Sequence, residues 1–153
     1  MECRPFVNPL RIAALTLLLC TTSLPVAADG REVVLVVSLS SPVAELEPLE
    51  VRKLFLGLPV LRGNKALRAV RNESDEQLSR VFLQHIVAMS QSAYDRRILA
   101  QAMQQGRPRP LVLKSRADLS AALDADPLAV SYMWVKDIPV APRLRVLRVL
   151  WTE

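Results

Sequence analysis

Apolar and polar positions divide the chain into short, clearly bounded elements. Val33-Val34-Leu35-Val36-Val37 is an unbroken aliphatic run, which predicts a strand covered on both faces. Ser38 to Pro42 ends it. Glu47-Pro48 predicts a helix start, since proline at the first turn gives up no hydrogen bond. Leu49, Leu54 and Phe55 are expected to face inward, and Gly57 to stop the helix. Arg62-Gly63-Asn64-Lys65 reads as a turn into the short strand Ala66–Val70.

Ser74 with Gln77 three residues later has the spacing of a capping box, and Asp75 and Glu76 suit the positive end of a helix. Leu78, Val81, Phe82, Ile86 and Met89 continue that helix at its own period. Ser90 or Ser92 opens the next helix, with Tyr94, Ile98, Leu99, Ala102 and Met103 on one side and Gly106 as its stop. Arg107-Pro108-Arg109-Pro110 predicts an extended connector, because each proline disfavours helix in the residue before it. A run at Leu111–Leu113 follows, then a helix capped by Ser115 and closed by Asp126-Pro127. Ala129–Met133 predicts another strand. Leu144–Leu150 has a near-helical period but a valine content that favours strand, which is the assignment adopted. Strands alternating with helices predict an α/β layer with a mainly parallel sheet.

The first 28 residues change the picture of charge and compartment. Arg4 and Arg11 precede the apolar run Ile12–Cys20, and Val26-Ala27-Ala28 supplies small residues, the pattern of a secretory signal cleaved after Ala28. A membrane anchor fits less well, since Ile12 to Ala28 is 17 residues broken by threonines, Ser23 and Pro25, and spanning takes about 20. The expected organisation is a leader over 1–28 and one domain over 29–153, with a periplasmic address. Loss of Arg4, Arg11 and Glu2 leaves 18 basic and 14 acidic residues, a net charge of +4 over 125 residues. Cys3 and Cys20 also leave, so disulfides, thiol catalysis and cysteine-bound zinc are excluded from the domain. A domain of this size buries about two-thirds of its surface without staples.

Few residues offer chemistry. His85, the single histidine, makes an i, i+4 pair with Met89, which reads more simply as the rim of an amphipathic helix than as a metal site. There is no G-x-S-x-G, P-loop or G-x-G-x-x-G, and glycine is confined to positions 30, 57, 63 and 106. No catalytic constellation assembles, so no enzyme, cofactor or metal is expected. The arginines are scattered without interleaved aromatics, which with the modest net charge argues against nucleic acid.

Two stretches together resemble a known family. Ser40-Ser41-Pro42-Val43 followed by Leu49–Gly57 is similar to the phosphate-binding subunits of ABC importers, whose first helix ends in Ile/Leu-Phe-x-Gly. Val112–Ser115 and Asp126–Tyr132 resemble that family's serine-capped helix and its P-G-A-I-G-Y segment, with Leu128 and Ser131 in place of two glycines. The resemblance implies a type II periplasmic binding-protein fold, here a compact single lobe with a mainly parallel or mixed sheet flanked by helices. It also implies an anion held by a loop after the first strand, an arginine and helix N-termini. Carried over by position, the ligand-binding candidates are Ser40, Ser41, Arg71, Ser74 and Ser115.

The family's R-x-x-G-S-G-T becomes Arg71-Asn72-Glu73-Ser74-Asp75-Glu76-Gln77, which brings carboxylates to the helix end meant for phosphate. One carboxylate about 4 Å from a phosphate charge costs about 1 kcal/mol in water and about 4 at an effective dielectric of about 20. The expected function is therefore an exported solute-binding-like protein whose phosphate binding is weak or lost. The alternative is a periplasmic interaction or accessory protein with no small ligand. Expected partners are a weakly held small anion such as phosphate and an envelope protein or transporter. No segment beyond the leader is long enough to span a bilayer.

Overall fold

A computed structural model describes residues 31–153; the expected leader over 1–28 and its expected cleavage point lie outside the described residues. The aliphatic run becomes β1 (Glu32–Ser38), and every residue from Val33 onward in it is buried. Alternation along the strand feeds two cores. Val33, Leu35 and Val37 enter one with Tyr132 and Trp134, while Val34 and Val36 enter the other with Leu119 and Leu123.

The remaining elements are α1 (Pro48–Phe55), the hairpin β2 (Leu61–Arg62) and β3 (Lys65–Ala66), β4 (Arg68–Asn72), α2 (Glu76–Val81), α3 (Gln91–Gln105), β5 (Leu111–Leu113), α4 (Arg116–Ala125), β6 (Ala129–Trp134) and β7 (Leu144–Thr152). The five-stranded sheet has the order β5-β4-β6-β1-β7. β4 runs parallel to β5 and β6, whereas β1 is antiparallel to β6 and β7. The sheet is thus mixed, and the two parallel ladders meet the two antiparallel ones at β6. α1, α2 and α3 contribute to the first core and α4 to the second, so the sheet is covered on both faces. No described helix is long and apolar enough to cross a membrane.

Several local expectations need correction. Leu49 is 62% exposed, and Val51 takes its place beside Leu54 and Phe55. Proline at the start fixes the helix register, and Val51, Leu54 and Phe55 then share a face that Leu49 does not. The stretch from Leu78 to Met89 is not one α-helix: α2 gives way to a π-helical turn over Phe82–Ile86. Val87 donates to the Phe82 carbonyl at 3.1 Å, which lets both residues be buried although they stand five apart. In α3, Leu99 and Met103 are exposed and only Tyr94 and Ile98 are buried. The C-terminal segment is the long strand β7, as its valines predict.

An aromatic cluster fills the first core. Phe82 stacks on Tyr132 at 4.4 Å between centroids, and Phe55 and Tyr94 meet Phe82 edge-on at 5.3 and 5.7 Å. Tyr94 donates its hydroxyl to the Phe55 carbonyl at 2.8 Å, which ties α3 to the end of α1. Outside the core, Arg62 of the hairpin grips Glu50 of α1 with Nη1 and Nη2, at 2.9 and 2.8 Å. The Arg62 bonds, and behind them the Glu47 N–H, pull the Glu50 pKa down from 4.5 to about 2.

That depressed value sets a sign. The contribution of Glu50 to stability is full above pH 4.5 and is lost as pH falls toward 2. Glu50 and Arg62 are each about one-third exposed, so solvent keeps the contribution below about 1 kcal/mol. Melting curves of Glu50→Gln should lie below the parent above pH 4.5 and merge with it near pH 2; a gap unchanged across that window contradicts the assignment.

Candidate functional site

Sheet direction decides which of the candidate residues meet. β1 is antiparallel to β6 and β6 is parallel to β4, so the chain leaves β1 at the end of the sheet where β4 and β6 begin. Ser40 and Ser41 therefore lie at the opposite end from Arg71 and Ser74. Ser115 follows β5, which is parallel to β4, and shares the end occupied by Ser74. The five residues do not form one cluster.

Each serine already has local work. The Ser40 and Ser38 hydroxyls are 3.0 Å apart, and Ser41 Oγ accepts from the Val43 N–H at 3.3 Å. Ser74 donates to Asn72 Oδ1 at 2.7 Å and so does not cap α2. The cap is Asp75, whose Oδ1 accepts from the Leu78 N–H at 2.7 Å, a one-residue shift from the predicted capping box. Ser115 caps α4 by accepting from the Asp118 N–H at 3.4 Å.

Arg71 is the structural centre of this end. Its residue is only 3% exposed, an unusual place for a guanidinium. The cation lies 4.7 Å from the Tyr94 ring centroid and 5.5 Å from that of Phe82. Nη2 makes an ion pair with Glu73 at 2.8 Å and donates to Gln91 Oε1 at 3.3 Å. Nη1 faces Asp95 at 4.0 Å. Nε is buried and has no hydrogen-bond partner among the described residues.

Burial pushes the Tyr94 hydroxyl up to about 12, opposed in part by the nearby charge of Arg71. Burial also raises the Tyr132 pKa, and its hydroxyl donates to the Asn72 carbonyl at 3.2 Å. Both phenols stay neutral near pH 7; Tyr94 lines the cavity beside Arg71, whereas Tyr132 lies wholly within the core. Asn72 fixes the strand end from the other side by donating to the Tyr132 carbonyl at 2.9 Å.

The carboxylates after Arg71 have separate fates. Glu73 stands two residues along, on the same side of the extended chain, and its oxygen occupies the cation. For Asp75, burial acts to raise the pKa, but the Leu78 N–H, the Trp134 indole N–H at 3.3 Å and the charge of Lys136 prevail and lower it. Glu76, the first residue of α2, points outward to Arg80 at 3.1 Å and is 87% exposed. Both acidic residues thus stand at the start of α2 as expected, but only Asp75 bonds the helix N–H groups, and the carboxylate on the arginine is Glu73.

Beside Arg71 is a cavity of about 180 Å³, walled by Tyr94, Asp95 and Arg109 among others. Sequence reasoning picked Arg71 but missed Glu73, Gln91, Tyr94 and Asp95 as its surroundings. The two-residue spacing of Arg71 and Glu73 on a strand was a usable signal; Gln91 and Asp95 come from α3 and had none. His85, set aside as a ligand, packs its ring 5.5 Å from Trp151 of β7.

No protein-family profile and no curated protein matches the chain by sequence. Solved structures do match by shape. An ABC-type phosphate transport receptor from Vibrio cholerae superposes with a TM-score of 0.55 at 12% identity, over 76% of this chain and 45% of the receptor. PstS from Borrelia burgdorferi superposes with a TM-score of 0.57 at 12% identity, over 80% of this chain and 48% of PstS. The chain has the fold of part of these receptors and spans a little under half of their length.

Breaking the pair should be costly because Arg71 stays buried. Glu73→Gln removes the charged acceptor while keeping the shape, and a hydrogen bond to a charged group contributes about 1.5–3 kcal/mol. Urea unfolding should show a loss of that size; a loss below about 0.5 kcal/mol would place Glu73 with ordinary surface ion pairs.

Proposed function

We propose that this chain is an exported solute-binding-like protein, akin in fold to phosphate-receptor proteins of ABC importers, whose phosphate binding is weak or lost. The observation that carries the reading is the Arg71–Glu73 pair at 2.8 Å. An anion reaching Arg71 must displace a carboxylate that is covalently tethered two residues away. At about 1.5–3 kcal/mol for the displaced bond, affinity drops by about ten- to a hundredfold, since 1.4 kcal/mol is tenfold. Asp75 adds to this by occupying the N–H groups of α2 that would otherwise face an anion.

Arg71, Ser74 and Ser115 remain the candidates for contact with any small anion, because they share one end of the sheet. Ser40 and Ser41 are proposed only as loop-stabilising residues, given their place at the other end. No catalytic role, cofactor or metal enters the reading.

A second reading is a periplasmic accessory or interaction protein with no small ligand, bound to an envelope protein or transporter. It is favoured by Val146 and Val149, which are 41% and 50% exposed on β7, an outer strand of the sheet.

Calorimetry with inorganic phosphate separates weak from strong binding directly. The parent chain should show no saturable heat below millimolar phosphate, and Glu73→Ala should tighten any binding by at least about tenfold. Micromolar binding by the parent, or no gain in a folded Glu73→Ala, would overturn the reading.

A further inference from the structure

A larger concavity opens where β4 and β6 begin, near the end of the sheet opposite Ser74. Its volume is about 570 Å³, within the roughly 300–1,000 Å³ common for small-molecule sites. The prolines of the connector account for its existence. β5 pairs with β4 only over Val70–Asn72, and Pro108 and Pro110 have no N–H with which to extend that ladder toward Arg68. The connector therefore leaves the first half of β4 uncovered on that side.

The walls are aliphatic: Leu54 and Leu58 at the end of α1, Leu61 and Ala66 on the hairpin, Leu111 on β5 and Ala122 on α4. Leu61 and Leu111 are more than half exposed, so they offer apolar area that no described residue covers. The charges at the groove are one-sided. Arg68 is neutralised by Asp126, but Arg107 and Arg109 have no carboxylate partner among the described residues. An apolar trough edged by two unpaired guanidiniums complements a molecule with an aliphatic body and one anionic end. Phosphate, with no apolar part, has nothing to gain from these walls.

We propose that this groove is a binding site for an aliphatic carboxylate, with the tail along Leu54, Leu58 and Leu111 and the carboxylate on Arg107 and Arg109. A planar carboxylate can take two parallel N–H bonds from one guanidinium. The proposal does not rest on the state of Arg71, and loss of either idea leaves the other standing.

The probe is decanoate, titrated below its micelle-forming concentration into the full chain and followed by calorimetry, with decanol as the uncharged control. Saturable one-to-one binding is expected, at least about tenfold tighter than that of decanol. Arg107→Ala with Arg109→Ala should erase the difference between the two probes while leaving the melting temperature near that of the parent. Ala122→Trp should block both probes by filling the groove, and Ala66→Trp does the same from the exposed hairpin if the first variant fails to fold. The proposal is overturned by absence of saturable binding, by equal affinity for decanol, or by binding that survives both filling variants. Binding of an acidic peptide at the groove in place of decanoate would overturn it as well.

Discussion

A guanidinium held almost wholly out of water governs this fold. Arg71 sits on an interior parallel strand, against the rings of Tyr94 and Phe82, with Glu73 and Gln91 on one nitrogen and Asp95 near another. A buried cation is tolerated only when its charge is matched and its protons are taken up. Here the matching carboxylate comes from Glu73, just past the end of the same strand, and the aromatic faces from the helical layer. The charge thereby joins β4 to α3 and to the turn after α2, three elements that would otherwise meet only through apolar contact.

The same arrangement sets what the site can do. In a receptor-like fold, an arginine and a helix N-terminus are the natural resources for an anion. This chain spends both internally, the arginine on Glu73 and the helix end on Asp75. The negative charge a ligand would bring is supplied by side chains that cannot diffuse away. Competition of this kind depends on geometry more than on net charge, so the proposed weak binding of an anion at Arg71 is compatible with a basic protein.

The architecture was legible in the sequence where hydrophobic pattern and local chemistry agreed. The run at 33–37, the proline start at 48, the serine caps at 90 and 115 and the glycine stops at 57 and 106 each name their own structure. The pattern failed where one residue type could serve two registers. Asp75 displaced Ser74 as the cap because its carboxylate reaches both the Leu78 N–H and the Trp134 indole. The helix through 78–89 yielded to a π-helical turn, which no 3.6-residue count anticipates. The site was half legible: the family resemblance points to Arg71, but Glu73, two residues on, goes unread, and the direction of β1 against β4, which separates Ser40 from Ser74, is set by how both strands pair with β6.

The central claim, that an internal carboxylate holds Arg71, can be seen directly. A crystal structure of the chain grown at high phosphate concentration should show Glu73 still on Nη2 near 2.8 Å and no oxyanion on the guanidinium. An ordered phosphate on Arg71, with Glu73 swung away, would contradict the account.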